Sequence, residues 1–378
     1  MVRRVAPTRG IVGVDGGPAS GRSARRLEVG HGPGKGCEMR ALGITGLALA
    51  TAAALAGGTA SGTEKLKVGY LPVTGHAKFF VAADQGFFAQ EGLDVELVEF
   101  VNSADGLNAL VSGKLDLGAF GTTAPLVHIS RGTDLRIIGG VMGEDAAVIT
   151  TPANAGVIKG VADLRGKKVA TVRLASGDAV LRGALHDAGI DWKKDLKIFE
   201  LKNPPAVIEA VKTGQVDAGV VWGPHDFRAE QQGLRVVVRS NVLQAGHPCC
   251  RLTIRADELQ ARARWVKFVR AILRAEKFTR EDRPRTLDAI VKHLKLDRAL
   301  VEKAFYSGFL EQASDPNLKG VRRFWAAMLQ SEFITTTAAI DPHVELAVYK
   351  EALDGLAKEN PKDRFWAELQ QKYAARNL

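Results

Sequence analysis

Ser176-Gly177-Asp178 places two small residues and exposed backbone N–H groups at the opening of a helical stretch. Such an opening receives a carboxylate, sulfonate or phosphate oxygen, because the first N–H groups of a helix have no partner and lie at the positive end of its dipole. Gly121-Thr122-Thr123 repeats the arrangement and adds two hydroxyl donors. Read alone, each string is more simply an ordinary helix cap; the pair, reaching from two units, is as readily a candidate anion site as two caps. Trp222 ends a strand-like run and could stack on a ligand or lie in the core. His76 and His225 stand on loops that leave strands, where an imidazole donates to an anion or simply packs. Arg173, just ahead of Ser176, is a candidate counter-charge or a surface arginine.

Gly246-His247-Pro248-Cys249-Cys250-Arg251 is the least ordinary string in the chain. If residues 1–62 are removed, Cys37 goes with them and the two neighbours are the only cysteines left. In an oxidising compartment they can close a strained vicinal disulfide, a rigid turn that doubles as an apolar ligand platform, or stay buried as thiols. Zinc ligation with His247 is the poorer alternative, since neighbouring thiolates fit badly around one tetrahedral ion and no second ligand pair stands at finger spacing. There is no Gly-x-Ser-x-Gly elbow, phosphate loop or metal-protease helix. Asp178 and Glu144 are carboxylates of the kind any charged crevice contains, so no catalytic set, metal or cofactor is expected.

The elements that must position these residues alternate. Val68, Tyr70 and Leu71 read as a buried strand, and Phe80, Ala83 and Phe87 recur at helical spacing, which together start a βαβ unit. In open parallel sheets the loops at the strands' carboxyl ends line the ligand crevice, which puts Thr74, Gly75 and His76 on a binding edge. Strands are expected over 66–71, 95–100, 115–120 and 135–141, with helices over 78–90, 103–111 (Ser103 as cap) and 126–131. A second set begins near Ala147, with strands at 168–172, 196–201, 216–222 and 234–238 and helices after Ser176 and Pro205. Gly113-Lys-Leu-Asp116-Leu-Gly118 and Gly214-Gln-Val-Asp217-Ala-Gly219 share one spacing, a helix-ending glycine followed at once by a buried strand. Two lobes built alike would turn their loops toward each other. Beyond Ile254 the pattern turns helical over 257–277, 286–294, 298–306, 321–333, 342–356 (Asp341 as cap) and 364–375, with Trp265, Phe268, Val269 and Ile272 forming one core stripe.

The run Ala82-Ala83-Asp84-Gln85-Gly86-Phe87-Phe88-Ala89-Gln90-Glu91-Gly92-Leu93-Asp94-Val95-Glu96, after a strand ending Tyr70-Leu71-Pro72, resembles the opening of the nitrate/sulfonate/taurine-type substrate-binding proteins of ABC importers. That family also includes proteins of thiamine-pyrimidine synthesis. The resemblance, over about 65–333, implies an α/β chain with the type II periplasmic-binding-protein fold: two lobes, each a doubly wound, mostly parallel sheet, a ligand cleft between them, and C-terminal helices on lobe I. It places lobe I over 63–145, lobe II over 146–245, and the return strand and terminal helices over 246–378. It implies capture of a small anionic or zwitterionic solute by hinge closure near 143–148 and 240–249, with Thr74, Gly75, His76, Gly121, Thr122, Thr123, Arg173, Ser176, Gly177, Asp178, Trp222, His225, Cys249 and Cys250 around it. The partners implied are a membrane permease and its ATPase. The alternative is an enzyme related to thiamine-pyrimidine synthesis.

The composition of the 378-residue chain, 46% hydrophobic and 25% charged, fits one or two large cores. Of the net charge of +10, half falls in residues 1–62, which hold eight basic and three acidic residues. The remainder is a mildly basic surface with no aromatic-basic patch for nucleic acid. Residues 1–38, with nine Gly and three Pro, read as disordered or as an upstream misassignment of the start. Met39-Arg40, the small and apolar run Ala41–Ala56 and the small residues to Gly62 have the order of a Sec-type signal peptide, so a periplasmic monomer is expected.

Overall fold

The computed structural model describes residues 63–378; the disordered stretch and the signal peptide expected ahead of them lie outside the described residues. Strand and helix alternate through β1 (Glu64–Tyr70), α1 (Ala77–Asp84), α2 (Phe87–Gln90), β2 (Leu93–Glu99), α3 (Ser103–Val111), β3 (Leu117–Gly121), α4 (Thr123–Ser130) and β4 (Leu135–Glu144). The chain then crosses into a second sheet through β5 (Ala146–Thr150), β6 (Lys168–Val172), α5 (Ser176–Asp187), β7 (Lys197–Leu201), α6 (Pro204–Lys212), β8 (Ala218–Trp222), α7 (His225–Gln231), β9 (Arg235–Arg239) and the single turn α8 (Ser240–Leu243). It returns by β10 (Pro248–Arg255) and ends in α9 (Arg262–Glu281), α10 (Arg283–Leu294), α11 (Arg298–Phe305), β11 (Leu310–Gln312), α12 (Leu318–Gln330), α13 (Leu346–Glu359) and α14 (Arg364–Asn377).

The sheet orders are β11-β4-β10-β3-β1-β2 and β7-β6-β8-β5-β9. With the edge strand β11 set aside they coincide: second, first, third, crossing strand, fourth. That is the type II two-lobed fold. β1 pairs parallel with β2 and β3, and β6 with β7 and β8, but the crossing strands β10 and β5 run antiparallel to both neighbours, so each sheet is mixed.

The lobes share their fastenings as well as their order. α3 is capped by Asn102, whose side chain accepts from Asp105 N, and α6 by Asn203, accepting from Ala206 N. Eleven positions after each asparagine, Gly113 and Gly214 stand at φ 75° and 72°, the left-handed turn that ends the helix. Asp116 Oδ2 then accepts from Lys67 N at 2.7 Å, and Asp217 Oδ2 from Lys168 N at 2.8 Å, tying each third strand to the first. Every one of these equivalent pairs is 101 residues apart.

Several boundaries differ from expectation for local reasons. Gly86, at φ 70°, breaks the expected 78–90 helix into α1 and α2. α13 starts at Leu346, not 342, because Glu345 N donates to Ile137 O and pins the preceding residues against β4. α9 is preceded by a 3-10 segment, Ala256–Ala261. Lobe I and the terminal helices share one core containing Phe79, Phe80, Trp265, Phe268 and Phe324; lobe II packs apolar side chains on both faces of its sheet. Among the described residues no helix is long and apolar enough to cross a membrane.

Candidate functional site

The loop leaving β3 and the loop leaving β6 meet. Thr122 N donates to Ser176 Oγ at 2.8 Å and to Cys249 O at 2.6 Å, and Thr123 Oγ1 donates to Ala175 O at 3.2 Å. Ser176 Oγ in turn donates to Cys249 O at 2.6 Å, and Thr122 Oγ1 reaches the same carbonyl at 2.9 Å. One carbonyl on the return strand therefore accepts from both lobes. Gly121 is needed for this approach: a Cβ there would lie 3.1 Å from Ser103 Oγ and Ser176 Oγ and 3.2 Å from Ser176 N. Gly177 lets α5 start close to its own sheet, since a Cβ would fall 2.8 Å from Val220 and 3.0 Å from Ala146.

Beside this seam the lobes enclose a cavity of about 20 Å³. On that measure it holds roughly one water. The starts of α3 and α5, at Ser103 and Ser176, meet there with Gly121 at the end of β3, just before α4, and the remaining wall is apolar and sulfur-rich: Leu71, Met142, Trp222, Cys249 and Cys250. None of its lining residues is charged. Directly behind it is Arg251, fully buried. Its Nη1 donates to Asp315 O and Pro316 O, at 2.6 and 3.3 Å, and its Nη2 to Met142 O at 2.6 Å. Gly140 makes room for the guanidinium, as a Cβ would come within 2.4 Å of it.

The crossing into lobe II is strained. Glu144 and Asp145 stand at φ 61° and 72°, a left-handed region uncommon for residues other than glycine, though Asp enters it more readily than most. Glu144 N donates to His247 O at 3.1 Å and its Oε1 accepts from Gly246 N at 2.8 Å, which cross-links the two connecting segments. Asp145 is buried with no side-chain donor on either carboxylate oxygen; only the Gly223 backbone N–H and the Arg239 charge favour its ionised form. Burial first, then the charges of Asp226 and Cys249, push its carboxyl well above the ordinary aspartate range.

Of the residues singled out in the sequence, Gly121, Ser176, Gly177, Trp222, Cys249 and Cys250 line the cavity, and Thr122 and Thr123 form the seam. Thr74, Gly75 and His76 do not line it. They are buried within lobe I in a single 3-10 turn, where His76 Nδ1 accepts from Leu71 N at 3.2 Å and Gly75 seats the Met142 sulfur. Burial, helped by Lys78, lowers the His76 pKa to about 3, so the ring is neutral. Arg173 is exposed, and Asp178 is locked to Arg182 by contacts of 2.9 and 3.2 Å. His225 opens α7 with its ring edge-on to Trp222. Cys249 and Cys250 are both free, with sulfurs 3.9 Å apart, and among the described residues no cluster of His, Cys, Asp or Glu could hold a metal. Arg251 and Asp145 were not foreseen as site residues, because their significance lies in backbone partners and burial that no local pattern announces. Ser103, expected as a cap, instead accepts from Gly121 N with its hydroxyl at the cavity wall; Asn102 is the cap.

Two like lobes closing on a cleft between helix starts define a solute-binding fold. The chain belongs to the NMT1-like family, whose model matches residues 59–295. A protein of Brucella abortus (strain 2308), named only as a binding protein, is 27% identical over 248 residues, covering 64% of this chain and 76% of that one. The taurine-binding periplasmic protein of Escherichia coli (strain K12) is 27% identical over 168 residues, 44% of this chain and 51% of that one. Among solved structures, the periplasmic nitrate-binding protein of Synechocystis PCC 6803 superposes with a TM-score of 0.69 at 18% identity, covering 78% of this chain and 89% of that one.

Proposed function

We propose that this chain is the extracytoplasmic solute-binding component of an ABC importer, capturing a small anionic or zwitterionic solute by closure of its two lobes and presenting the closed form to a permease with its ATPase. The observation that carries the reading is the meeting of Thr122, Thr123 and Ser176 around one small cavity at converging helix starts. A cavity of about 20 Å³ admits no solute of sulfonate size, so entry requires the lobes to part about 143–148 and 240–249. An anionic end suits the N–H groups of α4 and α5 and the buried Arg251 charge behind them. Gly121, Thr122, Thr123, Ser176, Gly177, Trp222 and Cys249 are the proposed contacts. Export of the chain and action as a monomer belong to the same reading.

Isothermal titration calorimetry of the full chain against nitrate, ethanesulfonate, taurine and benzoate, with recovery of the solute, tests it. The expected result is saturable binding of at least one solute, returned unchanged. Consumption of the solute would favour the enzyme related to thiamine-pyrimidine synthesis, and binding of none would overturn the proposed solute class.

A further inference from the structure

We propose that Cys249 and Cys250 are a reversible disulfide-forming site whose oxidation, in the parted form, keeps the interlobe seam from re-forming, making solute capture sensitive to the thiol-disulfide balance. This rests on the solute-binding reading only for its consequence, not for the chemistry.

The pair is assembled for a directed reaction. Both line the cavity, Cys249 half-buried and Cys250 buried. The Cys250 thiol donates toward the Cys249 sulfur across 3.9 Å. That donation, with the Arg251 guanidinium, favours the Cys249 thiolate against the opposing effect of burial, while Cys250 is pushed up. Arg251 is held by the carbonyls of Asp315, Pro316 and Met142, and its charge is felt by both neighbouring sulfurs as well as by Asp315 and Glu311. The thiolate is the nucleophile in disulfide exchange, and the accessible, low-pKa member of a pair attacks first.

When the lobes part, a small external disulfide of the glutathione class reaches Cys249 as oxidant, and the Cys249 thiolate attacks one sulfur and expels the other half as a thiolate. The Cys249–glutathione disulfide so formed is then attacked by Cys250, which gives up its proton, forms the Cys249–Cys250 bond and expels the second glutathione thiolate. The chain loses two electrons and two thiol protons; the external disulfide becomes two thiols.

Ring closure cannot leave the intervening peptide in place. Disulfides ordinarily join Cα atoms about 4.4–6.8 Å apart, whereas neighbouring Cα atoms lie about 3.8 Å apart, and the sulfurs must approach to about 2.05 Å. The Cys249–Cys250 peptide must therefore reorient, and its carbonyl is the one that accepts from Thr122 N, Thr122 Oγ1 and Ser176 Oγ. Moving that oxygen removes the acceptor that both lobes share. Strain in such a ring also makes it readily reducible, which suits a switch rather than a permanent cross-link.

The test uses the full chain carrying Cys37→Ser, so that only the pair titrates, equilibrated in glutathione buffers from reducing to oxidising. Intact mass should fall by two hydrogens with loss of both free thiols, the radius of gyration from X-ray scattering should rise, solute binding should weaken by about tenfold, and dithiothreitol should reverse all of these. Adding Cys250→Ser should halt the reaction at a glutathione adduct on Cys249. An unchanged dithiol, two adducts with no internal bond, or a disulfide that leaves the radius unaltered would each overturn the proposal. Mass and scattering need no solute, so failure of the reduced protein to bind any solute would overturn the importer reading separately.

Discussion

At the scale of single residues, Asp145 shows how the cleft trades stability for chemistry. A carboxylate buried without a side-chain donor is costly, and its raised pKa means that the folded state holds the proton more tightly than the unfolded chain. Below the unfolded value both states are protonated and the cost vanishes; as pH rises through the raised value the folded state loses relative stability. Asn tolerates positive φ better than other side chains and carries no charge, so Asp145→Asn should stabilise the solute-free protein by about 1–3 kcal/mol at pH 7.5, with the gain disappearing near pH 4. Melting temperatures of the two proteins at both pH values check this; equal curves at pH 7.5 would sink it. Gly121 gives the opposite kind of prediction. Gly121→Ala puts a methyl group 3.1 Å from Ser176 Oγ, holding the lobes apart, so solute affinity measured by calorimetry should fall about tenfold while the melting temperature changes little. Unchanged affinity would show that the seam does not govern closure.

Among elements, the terminal helices are tied to lobe I by a buried charge pair. Lys78 Nζ on α1 lies 3.0 Å from Glu276 Oε2 on α9 and donates to Ser314 Oγ at 2.8 Å, and both charged side chains are fully buried. Burial alone would raise the Glu276 pKa, but Lys78, Ser314, Lys372 and Arg280 together lower it to about 2. Its contribution is therefore complete above the ordinary glutamate value and is lost as pH falls toward about 2. Lys78→Met should cost about 1–3 kcal/mol in urea unfolding at pH 7, because the buried Glu276 loses its closest cation and keeps in contact only Ser314 and Arg280, the latter at 3.1 Å, and Lys78→Met with Glu276→Leu should recover most of that. A loss of only about 0–1 kcal/mol, as for an exposed pair, would refute the assignment. Elements of this kind differ in how far the sequence announces them. Gly113 and Gly214, with the aspartates three positions on, carry a turn and a strand start in their residue types, so both lobes' middle strands were legible. The seam was legible in part, through Gly121, Thr122 and Ser176, since small and hydroxylated residues mark helix starts. His76 misled because a histidine after a strand looks like a crevice donor, yet its partner is the amide of Leu71 within the same turn. Arg251 was opaque: it is satisfied by carbonyls of Met142, Asp315 and Pro316, brought together only by the fold.

On the scale of the whole molecule, the two connecting segments are not all that joins the lobes. The terminal helices share their core with lobe I, yet they also grip lobe II on two flanks. On one, Trp192 Nε1 donates to Ser331 O at 2.6 Å, and the Arg182 guanidinium lies 4.1 Å from the Trp192 ring and 4.9 Å from Phe333. On the other, Arg239 sits 3.8 Å over Phe309, and Phe227 packs with Leu300 and Ala304. Opening the cleft must break at least one flank, so these contacts set how much of the closed form exists before any solute arrives. Apparent affinity scales with the populated fraction of the competent state. A hydrogen bond of about 0.5–1.5 kcal/mol and a cation–π contact of about 0.5–2 kcal/mol are together enough to shift that fraction by about tenfold. Trp192→Ala should therefore enlarge the radius of gyration of the solute-free protein and weaken solute binding, while a saturating solute restores the compact radius. A variant that loses thermal stability yet keeps both its scattering profile and its affinity would mean that the flank supports the fold of lobe II and takes no part in closure.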